Sequence, residues 1–234
     1  MKVIDMRRLV IKLSGHIFFS NKINVDLMSR YSKIIRELHR RGERMVIVVG
    51  GGSYARKYIE AADHMKASEF EKDYLGILIT HGNAFLFATA LGEIAYKPIP
   101  KNIDEIMEAA ENKDKVVICG GLVPGQSTMT VAAMVAEALR ANLIINATDV
   151  DGIYDKDPKK NPDAKMLRKV TVKDLRRILG EGEFKAGTYR LIDPHALRII
   201  ERAKIPVKVL NGFDERNIIR AIEGEDVGTT IIVH

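Results

Sequence analysis

The chain has 234 residues, with 37 Lys and Arg against 31 Asp and Glu and a formal charge of +6. At 46% apolar and 29% charged residues, it is too rich in core-forming side chains for intrinsic disorder to dominate. A lone cysteine, Cys119, excludes an internal disulfide, and the lack of any Cys–His spacing pattern excludes a structural zinc site.

Apolar runs of strand length alternate with longer amphipathic stretches, which predicts an α/β protein with a mainly parallel sheet. Leu9-Val10-Ile11 opens the first strand, which ends at Ser14-Gly15. Asp26 reads as the cap of a helix over 26–41, with Leu27, Tyr31, Ile34, Ile35 and Leu38 on one face. Met45 to Val49 is apolar throughout, as a strand buried on both faces requires, and runs into Gly50-Gly51-Gly52 and a helix from Ser53. A long helix is predicted over 74–96, a strand over 116–119, a helix over 130–140 and a strand over 143–145. A polar excursion over 149–165 follows, then helices over 172–179 and 194–203 and a strand over 207–210. The last elements are a helix over 215–222 and an edge strand over 229–233. No repeat or long polar linker divides the chain, so residues 1–234 read as one domain, with a soft boundary near residue 150.

Two uncharged stretches, 74–92 and 116–136, approach the length of a membrane span. The first carries Thr80, His81, Gly82 and Asn83 at its middle, and the second is broken by Gly120-Gly121 and Pro124-Gly125. Both read as elements of a soluble core. Arg7, Arg8 and Lys12 stand where a signal peptide needs its apolar centre. The expected location is therefore the cytoplasm, with no membrane partner. The basic residues are dispersed, Trp is absent and aromatics make up only 6%, so no nucleic-acid partner is expected either.

Glycine-bearing turns follow successive strands at Ser14-Gly15, Gly50-Gly51-Gly52, Gly120-Gly121 and between Asn146 and Gly152. Ligands of open α/β sheets sit beyond the carboxyl ends of the strands, where glycine lets backbone amides approach a phosphate. The chain has no Gly-x-x-x-x-Gly-Lys-Ser/Thr signature. Gly50-x-Gly52-x-x-Ala55 fits a dinucleotide fingerprint, but the acidic residues about 20 positions on, Glu69, Glu71 and Asp73, follow no strand. Lys12, inside an apolar strand, calls for an anionic partner, and Arg56 falls one turn into the helix after the triple glycine. Position alone also suits Arg56 as a solvated surface residue beside Lys57.

Five blocks in order resemble the archaeal-type uridylate (UMP) kinases of the amino-acid kinase superfamily. They are Val10-Ile11-Lys12-Leu13-Ser14-Gly15, the run from Val48 to Ile59, Gly120 through Pro124-Gly125-Gln126-Ser127-Thr128, Ala147-Thr148-Asp149-Val150-Asp151-Gly152-Ile153-Tyr154-Asp155-Lys156-Asp157-Pro158, and Ala186-Gly187-Thr188-Tyr189-Arg190-Leu191-Ile192-Asp193-Pro194. The resemblance implies a three-layer αβα sandwich, with an acceptor lobe over 1–149, an ATP lobe over 150–234, and transfer of a phosphoryl group from ATP to UMP. It places Lys12, Gly15 and His16 at the transferring phosphate, Gly52 and Arg56 on the ATP phosphates, and Gly51 and Asp73 on UMP. Leu122, Val123, Pro124, Gly125, Gln126, Ser127 and Thr128 would form the uridine and phosphate loop. Thr148, Asp149, Tyr154 and Asp157 would line the ATP base and sugar, and Lys12 and Asp193 would be the catalytic pair.

The resemblance further implies Mg²⁺ carried with ATP, no metal held by the protein itself, and a homohexamer built as a trimer of dimers. The family commonly carries Lys at position 16 and Arg at position 81, where this chain has histidines. His81 reads as a hydrogen-bonded interior residue rather than a ligand. Asp193-Pro194 is also a natural helix start, so Asp193 suits a capping role as well as a catalytic one. The rivals are a kinase of the same superfamily acting on acetylglutamate, carbamate or isopentenyl phosphate, and a non-catalytic nucleotide-binding protein.

Overall fold

The computed structural model describes residues 7–156, 158, 161–179 and 191–233. Strand β1 (Arg8–Leu13) leads into a short turn of helix, α1 (Gly15–Phe18), and then α2 (Val25–Arg40) and β2 (Arg44–Val49). Helices α3 (Gly52–His64), α4 (Glu69–Leu91) and α5 (Ile103–Glu111) precede β3 (Val117–Cys119). Next come α6 (Thr128–Ala138), β4 (Leu143–Thr148), the small strands β5 (Ile153–Tyr154), β6 (Met166–Leu167) and β7 (Lys169–Thr171), and α7 (Val172–Leu179). The chain closes with α8 (Pro194–Ala203), β8 (Val207–Asn211), α9 (Arg216–Ile222) and β9 (Thr229–Ile232).

Seven strands form one sheet in the order β3-β2-β1-β4-β8-β9-β7. The ladders from β3 through to β8 are parallel, while β9 runs antiparallel to β8 and parallel to β7. Strand β9 therefore lies inside the sheet, whereas the sequence pattern suggests an edge. The edge on that side is β7, a three-residue strand that pairs with β9. Strands β5 and β6 form a separate antiparallel pair within the polar excursion.

Alternate residues of the sheet feed two cores. Leu9, Ile11, Leu13, Ile47 and Ala147 pack with α2, α4 and α9 through Tyr31, Ile35, Phe87 and Ile218. Val10, Val48, Cys119, Ile144 and Val209 pack with α5, α6, α7 and α8 through Ile106, Val131, Leu175 and Ile200. The result is helices on both faces of a mainly parallel sheet, the three-layer arrangement expected.

Capping explains where the helices start. Asn24, rather than Asp26, caps α2 by accepting from the Leu27 N–H at 3.1 Å. Helix α4 begins at Glu69, earlier than its apolar residues suggest, because Ser68 and Glu71 form a reciprocal capping box. It ends at Leu91, where Gly92 takes φ +62. Helix α5, which the sequence reading passes over, starts where Asn102 accepts from the Glu105 N–H at 2.9 Å. Helix α4 with the following turn is long and apolar enough to cross a membrane, yet Phe87, Ala88 and Leu91 sit in the core beside β2 and β3.

Candidate active site

The order of strands reverses between β1 and β4, since β2 and β3 extend the sheet on one side of β1 while β4 and β8 extend it on the other. Open α/β sheets bind ligands beyond the strand ends at such a point. Lys12 lies at the end of β1 there, in register with Val48 of β2 and Asn146 of β4. One cleft above these ends is lined by Lys12, Gly15, His16, Gly51, Gly52, Arg56, Asp73, Val123, Gln126 and Thr128. The first strand, the triple glycine, helix α4 and the loop before α6 thus converge on one cleft.

The two glycine turns nearest Lys12 meet backbone to backbone. Gly52 has φ +66, and a Cβ there would collide with the carbonyl oxygens of Phe19 and Gly15. A Cβ on Gly15 would in turn strike the Gly52 backbone. Only glycine permits this approach. Gly51 caps α3 without a capping side chain, which leaves that helix end open toward an anion. Arg56 is exposed on the first turn of α3, with no ion-pair partner among the described residues.

Lys12 is half-buried, and burial pulls its pKa down from 10.5 to about 8. The charges of Asp149 and Asp193 oppose that fall. Desolvation and two facing carboxylates thus compete over the ammonium, and an arriving phosphate would side with the carboxylates in keeping it charged.

Asp193 caps α8, its Oδ1 accepting from the His195 and Ala196 N–H groups at 3.0 and 2.9 Å. The same oxygen accepts from Thr130 Oγ1 at 2.9 Å, while Oδ2 accepts from Ser127 Oγ at 2.5 Å. Ser127 in turn caps α6, accepting from Met129 and Thr130 N–H. One carboxylate therefore fastens the starts of α6 and α8 together. Three of these bonds fall on Oδ1 and one on Oδ2, and the charge of the carboxylate acts on Lys12. Asn146, fully buried, donates to the Leu191 carbonyl at 3.0 Å and so holds the segment leading to Asp193, while its Oδ1 has no hydrogen-bond partner among the described residues.

Asp73 is exposed on α4, and its Oδ2 accepts from the Gly125 N–H at 2.7 Å, pinning the tip of the loop before α6. Gln126 lines the cleft, and its Oε1 is buried with no hydrogen-bond partner among the described residues. Leu122 and Pro124 are half-buried in the same loop.

Thr148 and Asp149 stand at the end of β4, with Thr148 buried and its Oγ1 donating to Asp149 Oδ1 at 3.1 Å. Tyr154 lines a second cleft with Asp151, Arg168, Asn211 and Asn217, of about 400 Å³. Its phenol pKa is raised by desolvation and then by Asp151. Asp157 and residues 186–190 lie outside the described residues.

The sequence reading missed Thr80 and Asn83, which appear in it only as polar residues interrupting an apolar run. Both are buried beside the glycine turns, and His81 next to them is hydrogen-bonded as read but half-buried rather than interior.

The sequence profile of the Amino acid kinase family matches residues 7–211. The uridylate kinase of Sulfurisphaera tokodaii is 44% identical over 225 residues, covering 96% of this chain and 98% of that protein. The uridylate kinase of Hyperthermus butylicus is 42% identical over 222 residues, covering 95% of this chain and 96% of that protein. The crystal structure of uridylate kinase from Archaeoglobus fulgidus superposes with a TM-score of 0.85 at 36% identity, covering 97% of this chain and 100% of that one. The chain belongs to the amino acid kinase family.

Proposed function

We propose that this enzyme transfers the γ-phosphoryl group of ATP to UMP, giving UDP and ADP. The observation that carries the reading is Lys12 at the strand-order reversal, in one cleft with Gly15, Gly51, Gly52, Arg56, Asp73 and Thr128. Family membership with relatives that are uridylate kinases supports it.

Phosphoryl transfer asks the protein mainly for in-line positioning and for cations and amide donors around the spreading charge. Lys12 supplies a cation in a half-buried site, where it counts for more than in water. Arg56 supplies a forked donor for phosphate oxygens from the first turn of α3. No general base is needed, because a phosphate monoester is already an anionic nucleophile at neutral pH. Asp73 suits the acceptor ribose: Oδ2 holds Gly125 and leaves Oδ1 for hydroxyls. Gln126, which lines the cleft, is assigned to the uracil edge.

Thr148, Asp149, Tyr154 and Asp157 are assigned to the ATP base and sugar. Mg²⁺ is assigned as carried with ATP, and the carboxylates of Asp149 and Asp193, which act on Lys12, are hard oxygen donors of the kind it takes. Bound there, Mg²⁺ would neutralise charge developing on the phosphate oxygens. The enzyme is assigned to the cytoplasm as a homohexamer, and the exposed apolar face of α4 supports association as such.

A coupled ADP-release assay across UMP, CMP, AMP, acetylglutamate and carbamate tests the proposal. UMP should exceed CMP by at least ~10² in kcat/KM, because CMP would leave buried polar groups unpaired. Equal efficiencies would sink the uridylate assignment while leaving the kinase fold intact.

A further inference from the structure

The parallel ladder between β2 and β3 ends at Val48 and Cys119. Beyond it, nothing in the sheet fixes the Gly50-Gly51 turn relative to the Gly120-Gly121 turn. One turn of α4 does. Asn83 Nδ2 donates to the carbonyls of Gly50 and Gly51 at 2.9 and 3.1 Å. Thr80 Oγ1 accepts from the Gly121 N–H at 2.7 Å and donates to the Ile77 carbonyl at 2.6 Å. His81 Nε2 lies 2.7 Å from the Gly121 carbonyl, to which it donates. Both polar groups of Gly121 are thus bonded to α4, which ties the root of the 122–128 loop to that helix. The contact is close: a Cβ on Gly120 would come within 2.5 Å of Thr80 Oγ1 and 2.8 Å of His81 Cδ2.

Polar side chains in an apolar helix are costly unless they are paired. These three are paired with the backbone of two turns that border the cleft, one at its glycine-rich wall and one at the root of the 122–128 loop. We infer that Thr80, His81 and Asn83 are positioning residues of the reaction, a clamp on α4 that sets the distance between the Gly50-Gly51 turn and the Gly120-Gly121 turn. The inference rests on the cleft being the ATP and UMP site. On that reading the first turn carries donor phosphates and the second aims the acceptor loop, so the clamp fixes the spacing of the two reactants. Asp73, two helical turns earlier, extends the same control to Gly125.

The test compares Thr80→Val, nearly isosteric but without the hydroxyl, with Thr80→Ser, which keeps it. Steady-state kcat and both KM values are measured beside the thermal midpoint, with Lys12→Ala as control. Misplacing reactants by about 1 Å costs on the order of 10²-fold in rate, so Thr80→Val should lower kcat by roughly 10- to 100-fold. The KM for ATP should move by less than about threefold, and Thr80→Ser should keep kcat within about threefold, because hydroxyl-dependent positioning survives in it. A folded Thr80→Val with near-parental kcat overturns the inference, as does a Ser variant that loses as much as Val.

Should Thr80→Val not fold, half-buried His81 supplies the second comparison: His81→Leu should lower kcat and His81→Gln should restore most of it. An active His81→Leu variant overturns the clamp. Lys12→Ala separates the two levels. Full turnover in that variant removes the cleft reading and the clamp with it, whereas an inactive Lys12→Ala beside an active Thr80→Val removes the clamp alone.

Discussion

A lysine among apolar neighbours on an inner strand is held charged only by what faces it. For Lys12 these groups are Asp149 and Asp193, with His16 and Arg56 lining the same cleft. Its folded pKa of about 8 lies below the unfolded value of 10.5. Below about pH 8 both states hold the proton and the desolvation penalty is fully present. Between pH 8 and 10.5 the folded state has released it and the unfolded state has not, so the ligand-free protein gains stability as pH rises through that window. Lys12→Met should therefore raise the thermal midpoint at pH 7 while cutting turnover by ~10²–10³, a trade of stability against function. Calorimetry and a rate assay on the one variant check both signs. Turnover within a few-fold of the parent would remove Lys12 from the transferring phosphate. The free-enzyme profile, kcat/KM, should fall above about pH 8, and kcat should hold to higher pH, because bound phosphates raise the lysine's pKa. On the acceptor side, Asp73→Asn should weaken UMP by roughly tenfold and ATP much less, since an amide replaces only part of a carboxylate's acceptance. Titration of each nucleotide by calorimetry decides it, and an ATP-selective loss would mean the two sites are reversed.

At the scale of elements, the start of α8 separates two roles that the sequence leaves merged at Asp193. Asp193→Asn keeps an oxygen for the His195 and Ala196 N–H groups but removes the charge facing Lys12. Asp193→Ala removes both, and leaves the Ser127 and Thr130 hydroxyls without their acceptor. The alanine variant should lose ~1–2 kcal/mol of stability through the cap alone. The asparagine variant should lose far less stability yet still lose turnover, and full activity in it would reduce Asp193 to a cap. The start of α8 was legible because Asp-Pro is a local signal, as were Lys12 and the glycine turns at strand ends. Strands β5, β6 and β7 were not, for each is two or three residues long and exists through a distant partner: Ile153 pairs with Leu167, and Val170 with Ile231. The same distant pairing puts β9 inside the sheet, which no local pattern announces. Helix α5 was legible and overlooked, since Asn102 followed three residues later by Glu105 is a capping signature. Thr80, His81 and Asn83 were hidden for a different reason. A polar residue in an apolar helix shows only that it needs a partner, and the partners lie 32 to 41 positions away in sequence.

Across the whole molecule, helix α4 faces two ways. Its inner side carries Phe87, Ala88 and Leu91 into the core and the clamp into the site. Its outer side exposes Phe70, Tyr74 and Leu78, spaced four apart on one stripe, with Phe85 and Leu86 further along. Tyr58 and Met65 of the neighbouring α3 segment are exposed as well, Met65 at 80%. Contiguous apolar surface of this kind marks an association face in soluble proteins. Self-association through it would bury these side chains at roughly 25 cal/mol per Å². A two-fold contact uses one patch on both partners, so a single charged substitution enters the interface twice. If the proposed homohexamer is joined through this face, Tyr74→Glu with Leu78→Glu should dissociate it into smaller species with the circular dichroism of the fold retained, since neither side chain reaches the core. Light scattering coupled to size exclusion at micromolar concentration measures the mass directly. A parent that already runs as a monomer would sink the homohexamer, and an unchanged mass in the double variant would place the interface on another face. Because the clamp sits on the same rigid helix, a dissociated variant should also turn over more slowly than the parent, by a factor that recovers when its mass recovers at high protein concentration.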